Sequence, residues 1–459
     1  MMIPDGIFKS YDIRGIYPQE INEENIVFII RAIHAFFKEA LPSQKPLTVV
    51  VGRDMRLSSP SLFKVAVDTL IKEGASVLDA GIVSTPTFYF TVFHYGYDCG
   101  FQISASHNPK EYNGIKIVIK APNGLIKVGK NTGMGTIKQY AQSLPQGSQG
   151  QKGSLAKKEG ILETEVKNAL SIVGNPPIKK FKIVADAANA MGGQYIDALF
   201  EKVPADLVRM NFKLDGSFPS HQPDPLQHET LKDLQRRVVE EKADLGLAPD
   251  GDGDRLFFIN EKGEIVPPSL ITALLARELL AMHKGATILF DIRYILSPQK
   301  IVEENGGKSV VTKVGHSFIT EDMSKTGALF GGESSGHYFF RETGNAESQL
   351  PVILTVLGVL TREEKPLSWV IHELSRSFES GEINFKVSDA KSILDKLKSK
   401  YQDGELSTLD GVAISYPNWR FSVRTSNTEP LLRLNIESYD REVTEFRKKE
   451  LVSLMSSML

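Results

Sequence analysis

The sequence predicts an α/β protein of several domains: three similar α/β units followed by a smaller C-terminal α+β unit. Its 459 residues are too many for one compact core and suit three or four domains. Three short, β-branched apolar runs, LTVVVGRDMR (47–56), FKIVADAANA (181–190) and ATILFDIRYI (286–295), each end in a charged or polar cluster. A helical pattern follows each, such as SLFKVAVDTLIKEGA after the first. Continuous apolar runs alternating with helices point to parallel strands covered on both faces. Beyond residue 368 the pattern changes. A helical KSILDKLKSKY leads to the strand candidates DGVAISY, WRFSVRT and LLRLNIES, and a charged helix closes the chain. That order suits a small α+β domain.

Boundaries follow from composition. SLPQGSQGQKGS (143–154) is polar, glycine-rich and without period, as a linker is. A second boundary falls soon after LGLAPDGDGDRLFFIN (245–260), and a third near TREEKPLS (361–368). The expected domains are therefore 1–148, 149–257, 258–368 and 369–459.

A net charge of −2 gives no reason to expect nucleic acid or an anionic membrane as partner. Cys99 is the single cysteine, which excludes an intrachain disulfide and a cysteine metal cage. The opening MMIPDGIFKSYDIRG lacks the apolar core of a signal peptide. The apolar runs near 270–282 and 350–360 are too short to span a bilayer, and Arg277 and Glu278 interrupt the first. The expectation is a soluble, cytoplasmic protein.

Four segments carry candidate chemistry. In ISASHNPKEYNGIKIV (103–118), Ser106 and His107 sit side by side on a turn made by Asn108 and Pro109, and Asn113, Gly114 and Lys116 follow. A hydroxyl, an imidazole and a nearby cation can present a serine to an incoming group, and phosphate is one such group. Asp250-Gly-Asp252-Gly-Asp254-Arg255 places three carboxylates at alternate positions after the strand-like DLGLA. Three hard oxygen ligands suit Mg²⁺ or Ca²⁺. Glu261 falls at the twelfth position of an EF-hand reading, but Arg255 stands where that loop needs its turning glycine. A plain acidic turn is the simpler alternative.

Glu333, Ser335 and His337 lie among the glycines of FGGESSGH (330–337). One carboxylate can accept from two neighbouring sugar hydroxyls, and glycines let backbone approach a ligand. A glycine-rich turn would look the same. Arg424, Ser426, Asn427 and Thr428 in RTSNTEP (424–430) offer a forked cation and small donors suited to a phosphate dianion, or an ordinary turn. Tyr11 to Gly15 and the cluster Gly52, Arg53, Asp54 add arginines after apolar stretches; for Arg53 and Asp54 a structural ion pair is the expected role. No G-x-S-x-G elbow, P-loop or G-x-G-x-x-G unit occurs, which disfavours a serine hydrolase and a nucleotide site. Phosphate rather than acyl is then the group expected on Ser106.

Taken together, SASHNP, DGDGDR, GESSGH and RTSNTEP resemble, in order, the phosphoserine, metal, sugar and phosphate loops of the α-D-phosphohexomutase superfamily. Within it the chain is similar to the bacterial phosphomannomutase/phosphoglucomutase group, over essentially its whole length. The resemblance implies a four-domain, heart-shaped protein, with three similar α/β domains of mixed sheets plus the α+β domain, and a cleft lined by one loop from each. It implies a phosphorylated Ser106 that, with Asp250, Asp252 and Asp254, holds one Mg²⁺. Arg14, His107, Lys116, Arg255 and His337 would line the reaction centre, with Lys116 or His337 as proton carrier. His107 would act as a charge partner of the seryl phosphate. Glu333 and Ser335 would bind sugar hydroxyls, and Arg424, Ser426, Asn427 and Thr428 the non-reacting phosphate. Tyr11, Arg293, Gly315 and His316 would add substrate contacts.

The implied reaction moves phosphate between C1 and C6 of mannose and glucose phosphates through a 1,6-bisphosphate, which also serves as activator. The expected partners are hexose phosphates, and the chain is expected to be a monomer or weak homodimer. Departures from the family pattern are Arg293, where relatives often have lysine, and Val314, where dual-specificity members often have threonine. Ser334 stands where Met or Gln is frequent. Phosphoglucosamine mutase, a silent sugar-phosphate-binding protein and a simple phosphatase are the competing readings.

Overall fold

A computed structural model describes residues 3–43, 45–143, 146–147, 150, 152–425 and 431–458. The chain divides into two compact units, one made of Met1–Val266 and Ser335–Ser368, the other of Pro267–Ser334 and Trp369–Leu459.

The first unit holds two sheets. The larger runs Ile13–Ile16, Tyr112–Ala121, Cys99–Ile103, Thr48–Arg53, Ser76–Ile82, Ser154–Lys157, with Gly124–Lys127 added on Tyr112–Ala121. Thr48–Arg53 is parallel to both of its neighbours, as its apolar run predicts. Helix Asn25–Ala40 turns Ile26, Ile29, Ile30, Ile33 and Phe37 into the core on helical spacing. The second sheet runs Ile265–Val266, Leu256–Asn260, Leu245–Pro249, Phe181–Asp186, Ala205–Met210.

Both sheets are mixed, as expected of these domains, and loop length explains why. A parallel return needs a crossover of a dozen or more residues. Residues 104–111 between Cys99–Ile103 and Tyr112–Ala121 are too few, and the strands pair antiparallel. Residues 250–255 between Leu245–Pro249 and Leu256–Asn260 force the same outcome. These two short connections are the Ser106 turn and the aspartate loop. Each leaves the carboxyl end of a strand that is parallel to its other neighbour, the usual place for ligand chemistry in α/β sheets.

In the second unit, Thr287–Asp291 lies parallel to Lys308–Thr312 and Phe330–Gly332. The C-terminal sheet runs Phe378–Glu379, Leu431–Ser438, Trp419–Thr425, Val412–Ser415, Glu405–Ser407, with Ile383–Lys386 also on Leu431–Ser438. It is antiparallel throughout. Helices Ala390–Lys400 and Arg441–Ser456 cover it through Ile393, Leu397, Leu451 and Met455. This is the expected α+β domain. Among the described residues no helix is long and apolar enough to cross a membrane.

Candidate active site

Ser106 sits in the left-handed region, φ 51°, which a residue with a side chain rarely occupies. Ser104 Oγ accepts from its backbone N–H at 3.0 Å. Its own Oγ lies 3.2 Å from Asp250 Oδ2 and 3.2 Å from His107 Nδ1. The aspartate loop therefore meets the serine directly. Gly251 makes that approach feasible, because a Cβ there would stand 2.3 Å from the Ser106 carbonyl oxygen.

Asp250, Asp252 and Asp254 are all buried, and each offers an oxygen within 4.8 Å of the others. Lys116 Nζ donates to Asp252 Oδ2 and to Asp254 Oδ2 at 2.5 Å each. Thr85, at the start of helix Thr85–His94, donates to Asp252 Oδ2 through its hydroxyl at 2.5 Å and to Asp252 O through its amide at 2.9 Å. The helix N-terminus thus faces an anionic loop, the favourable sense of its dipole. Gln349 Nε2 holds the carbonyl of Asp254 at 2.5 Å. Asp252 Oδ1 is buried with no hydrogen-bond partner, and the donor set is entirely hard oxygen. These residues fit a divalent cation.

Crowded buried charges shift the acids and bases apart. Burial and the neighbouring Asp254 and Asp252 charges push the Asp250 carboxyl well above its usual range. Burial also acts against ionised Asp254, but Lys116 and His337 outweigh it and hold that carboxyl well below the usual range. For Lys116, burial opposes the charge while Asp252 and Asp254 win, so its pKa stands well above the ordinary value. Lys116 is a cation in this arrangement. His107 goes the other way: burial, then Arg255 and Arg14, hold it well below 6.5. Burial and these two cations disfavour its charged form.

His337 Nε2 lies 3.2 Å from Asp254 Oδ1 and its Nδ1 2.9 Å from Ser335 Oγ. Arg255 Nε approaches the same ring at 3.4 Å, and its Nη1 lies 3.4 Å from Asp224 Oδ1. The Leu256 amide donates to the Gly336 carbonyl at 2.9 Å, which ties the GESSGH segment to the aspartate loop. Arg14 Nη1 reaches Asn108 Oδ1 at 2.6 Å, so it joins the Ser106 turn. Tyr11 is half-buried in the bend leading into Ile13–Ile16.

The second unit carries the other predicted residues. Asp291 accepts from Arg293 Nε and Nη2 at 2.9 Å each, and from the Ser334 amide at 2.6 Å. Arg293 is thereby clamped within its own loop. Glu333 Oε1 accepts from the Gly315 amide at 2.7 Å, immediately before helix His316–Thr326. Arg424 Nη2 lies 3.5 Å from Glu382 Oε2, and Arg433 Nη1 lies 3.0 Å from Glu382 Oε1. Ser426, Asn427 and Thr428 fall outside the described residues.

One ion pair is reassigned. Asp54 pairs with Arg56, whose Nε is 3.2 Å from Asp54 Oδ2, while Arg53 only donates to the backbone carbonyl of Asp54 at 3.2 Å. Residues that the sequence did not single out are Thr85, Gln349, Arg56, Gln222, Asp224 and Glu382. Only Arg56 left a local signal, the Asp-x-Arg spacing at the end of a strand.

Four successive domain families match the chain. They are described as Phosphoglucomutase/phosphomannomutase, alpha/beta/alpha domain I (residues 5–142), alpha/beta/alpha domain II (164–263), alpha/beta/alpha domain III (267–378) and C-terminal domain (382–453). The chain belongs to the phosphoglucomutase/phosphomannomutase family. It is a phosphohexomutase enzyme. A Vibrio cholerae phosphomannomutase is 37% identical over 440 residues, covering 94% of each chain. A Burkholderia thailandensis phosphoglucomutase/phosphomannomutase family protein of known crystal structure is 30% identical, with TM-score 0.87 over 99% of this chain and 98% of its own. An Aspergillus fumigatus N-acetylphosphoglucosamine mutase, solved with GlcNAc-6P and magnesium, shares the fold at 14% identity, TM-score 0.60, over 92% of this chain and 94% of its own. The enzyme's three α/β domains and its C-terminal domain thus correspond to the sequence prediction in kind and order.

Proposed function

We propose that the enzyme interconverts the 1- and 6-phosphates of mannose, and of glucose, with Ser106 as the phosphate carrier and a hexose 1,6-bisphosphate as intermediate and activator. The observation that carries this reading is the convergence on one hydroxyl: Ser106 Oγ lies 3.2 Å from Asp250 Oδ2, in a loop whose other carboxylates are already matched to a buried cation, Lys116.

In the forward step the bond between phosphorus and Ser106 Oγ breaks and a bond from phosphorus to the free sugar hydroxyl forms. The hydroxyl proton passes to a basic side chain of the site, for which Lys116 and His337 are the two candidates. The bisphosphate then presents its other phosphate, the Ser106 Oγ–phosphorus bond re-forms, and the proton returns to the sugar oxygen released. Arg255, Arg14 and Lys116 supply fixed positive charge where the transferring group is most anionic, the main demand of phosphoryl transfer. Asp250, Asp252, Asp254 and Ser106 Oγ would hold Mg²⁺, which supplies further stabilisation of that charge when bound. Glu333 and Ser335 bind sugar hydroxyls, with Glu333 oriented by the Gly315 amide. Arg424 binds the non-reacting phosphate, whose two chemically different positions in the cycle call for a generic forked cation.

The test is a substrate panel on purified protein: mannose, glucose and glucosamine phosphates, with a trace of bisphosphate, with and without chelator. Mannose 1-phosphate turning over only when Mg²⁺ is present supports the reading. Preferential turnover of glucosamine 6-phosphate, or release of inorganic phosphate faster than isomerisation, would replace it.

A further inference from the structure

We infer that Arg56, assisted by Gln222, is the positioning residue that holds the phosphate-carrying turn in its productive shape. This rests on the reading of Ser106 as that carrier. The Arg56 side chain is completely buried. Its Nη2 donates to the backbone carbonyls of Ser106 at 2.7 Å and Asn108 at 2.6 Å. Its Nη1 donates to those of Pro109 at 2.7 Å and Tyr112 at 3.1 Å. Gln222 Nε2 donates to the remaining carbonyl of the turn, that of His107.

The carbonyls of four consecutive residues, 106 to 109, are therefore fixed by two side chains from outside the turn. All four terminal N–H groups of the guanidinium are used, and Nε faces Asp54. Asp54 is itself fixed, accepting from the Arg56 amide at 3.0 Å and from Ser59 Oγ at 2.6 Å. The Phe218 ring lies 5.1 Å from the guanidinium carbon. A Cβ on Gly216 would stand 2.6 Å from Arg56 Cα, so that segment packs directly onto it.

Such a clamp is needed because Ser106 is held at φ 51°. A left-handed residue with a side chain reverts to a relaxed conformation unless its surroundings over-determine it. Relaxation would swing Oγ away from Asp250. A planar fork with charged N–H donors suits several convergent carbonyls, whereas the lysine ammonium, with three donors on a flexible stem, cannot reproduce it. Sub-ångström placement matters, since a displacement of about 1 Å at a reacting atom can lower the rate about 10²-fold.

The test compares wild type with Arg56→Lys and Gln222→Ala by steady-state kinetics and by the single-turnover rate of Ser106 phosphorylation from a hexose 1,6-bisphosphate, read by intact mass. Arg56→Lys should lower kcat and the phosphorylation rate about 10²-fold with KM within about twofold. Gln222→Ala, which loses one donor at a half-buried site and keeps the fold if Arg56→Lys does not, should lower both rates about three- to tenfold with the same KM. Phosphorylation of both variants at the wild-type rate, or a KM increase without loss of kcat, overturns the positioning role. Absence of phosphate on wild-type Ser106 would instead overturn the carrier reading.

Discussion

Replacing Glu165 with glutamine should stabilise the protein most above pH 7 and much less at pH 5. Glu165 lies in helix Ile161–Ile172, 3% exposed, and accepts a single hydrogen bond at 2.7 Å from Thr87 Oγ1. Burial pushes its pKa from 4.5 up to about 7, with the Thr87 hydroxyl pulling weakly the other way. A carboxyl raised in the folded state keeps its proton there after the unfolded chain has released its own. Stability is therefore fully present below pH 4.5, falls as pH rises through about 7, and is then level. The interval corresponds to about 3 kcal/mol, at about 1.4 kcal/mol per pH unit. Unfolding entropy is about 2.1 cal/mol/K per residue. For the compact unit that contains Glu165, the difference then amounts to a shift of about 5 °C in melting midpoint. Glutamine keeps the acceptor for Thr87 and removes the charge. Thermal melts of wild type and Glu165→Gln at pH 5 and pH 8.5 measure the effect directly. A midpoint difference that is the same at both pH values would refute the reasoning.

Other outcomes follow from the same site. Lys116→Met leaves Asp252 and Asp254 without their shared cation. It should destabilise the metal-free protein by about 3–5 kcal/mol, and Mg²⁺ should raise its melting midpoint more than that of wild type. Chelation should abolish turnover of wild type and Mg²⁺ restore it, while Asp252→Asn should stay inactive with Mg²⁺ present, as activity assays will show. Arg424→Lys exchanges a fork for a point charge and should raise KM for hexose phosphates about tenfold or more, the weight of one charged hydrogen bond, with a smaller effect on kcat.

What the sequence reveals depends on how local the cause is. The aspartate loop was legible because its alternating glycines and carboxylates are neighbours in the chain and their chemistry needs no tertiary context. The C-terminal domain was legible because its strands are consecutive and antiparallel. Apolar runs report burial, not direction; the short connections 104–111 and 250–255 set the antiparallel pairs that make each sheet mixed. Arg56 was passed over in favour of Arg53 because its four carbonyl partners lie 50 to 56 positions away, and backbone carbonyls carry no sequence signature. Gln222, 115 positions from His107, is invisible for the same reason. The downward shift of His107 also has no local signature, since it comes from burial beside Arg255 and Arg14.

The central claim is that Ser106 carries the phosphate that moves. The direct measurement is to treat the enzyme with ³²P-labelled hexose 1,6-bisphosphate, locate the label by peptide mapping, and chase with unlabelled hexose monophosphate. The account predicts label on Ser106 alone, transferred on to sugar at a rate no slower than turnover, and neither label nor isomerase activity in Ser106→Ala. Label on another residue, a chase slower than kcat, or full activity in Ser106→Ala would contradict it.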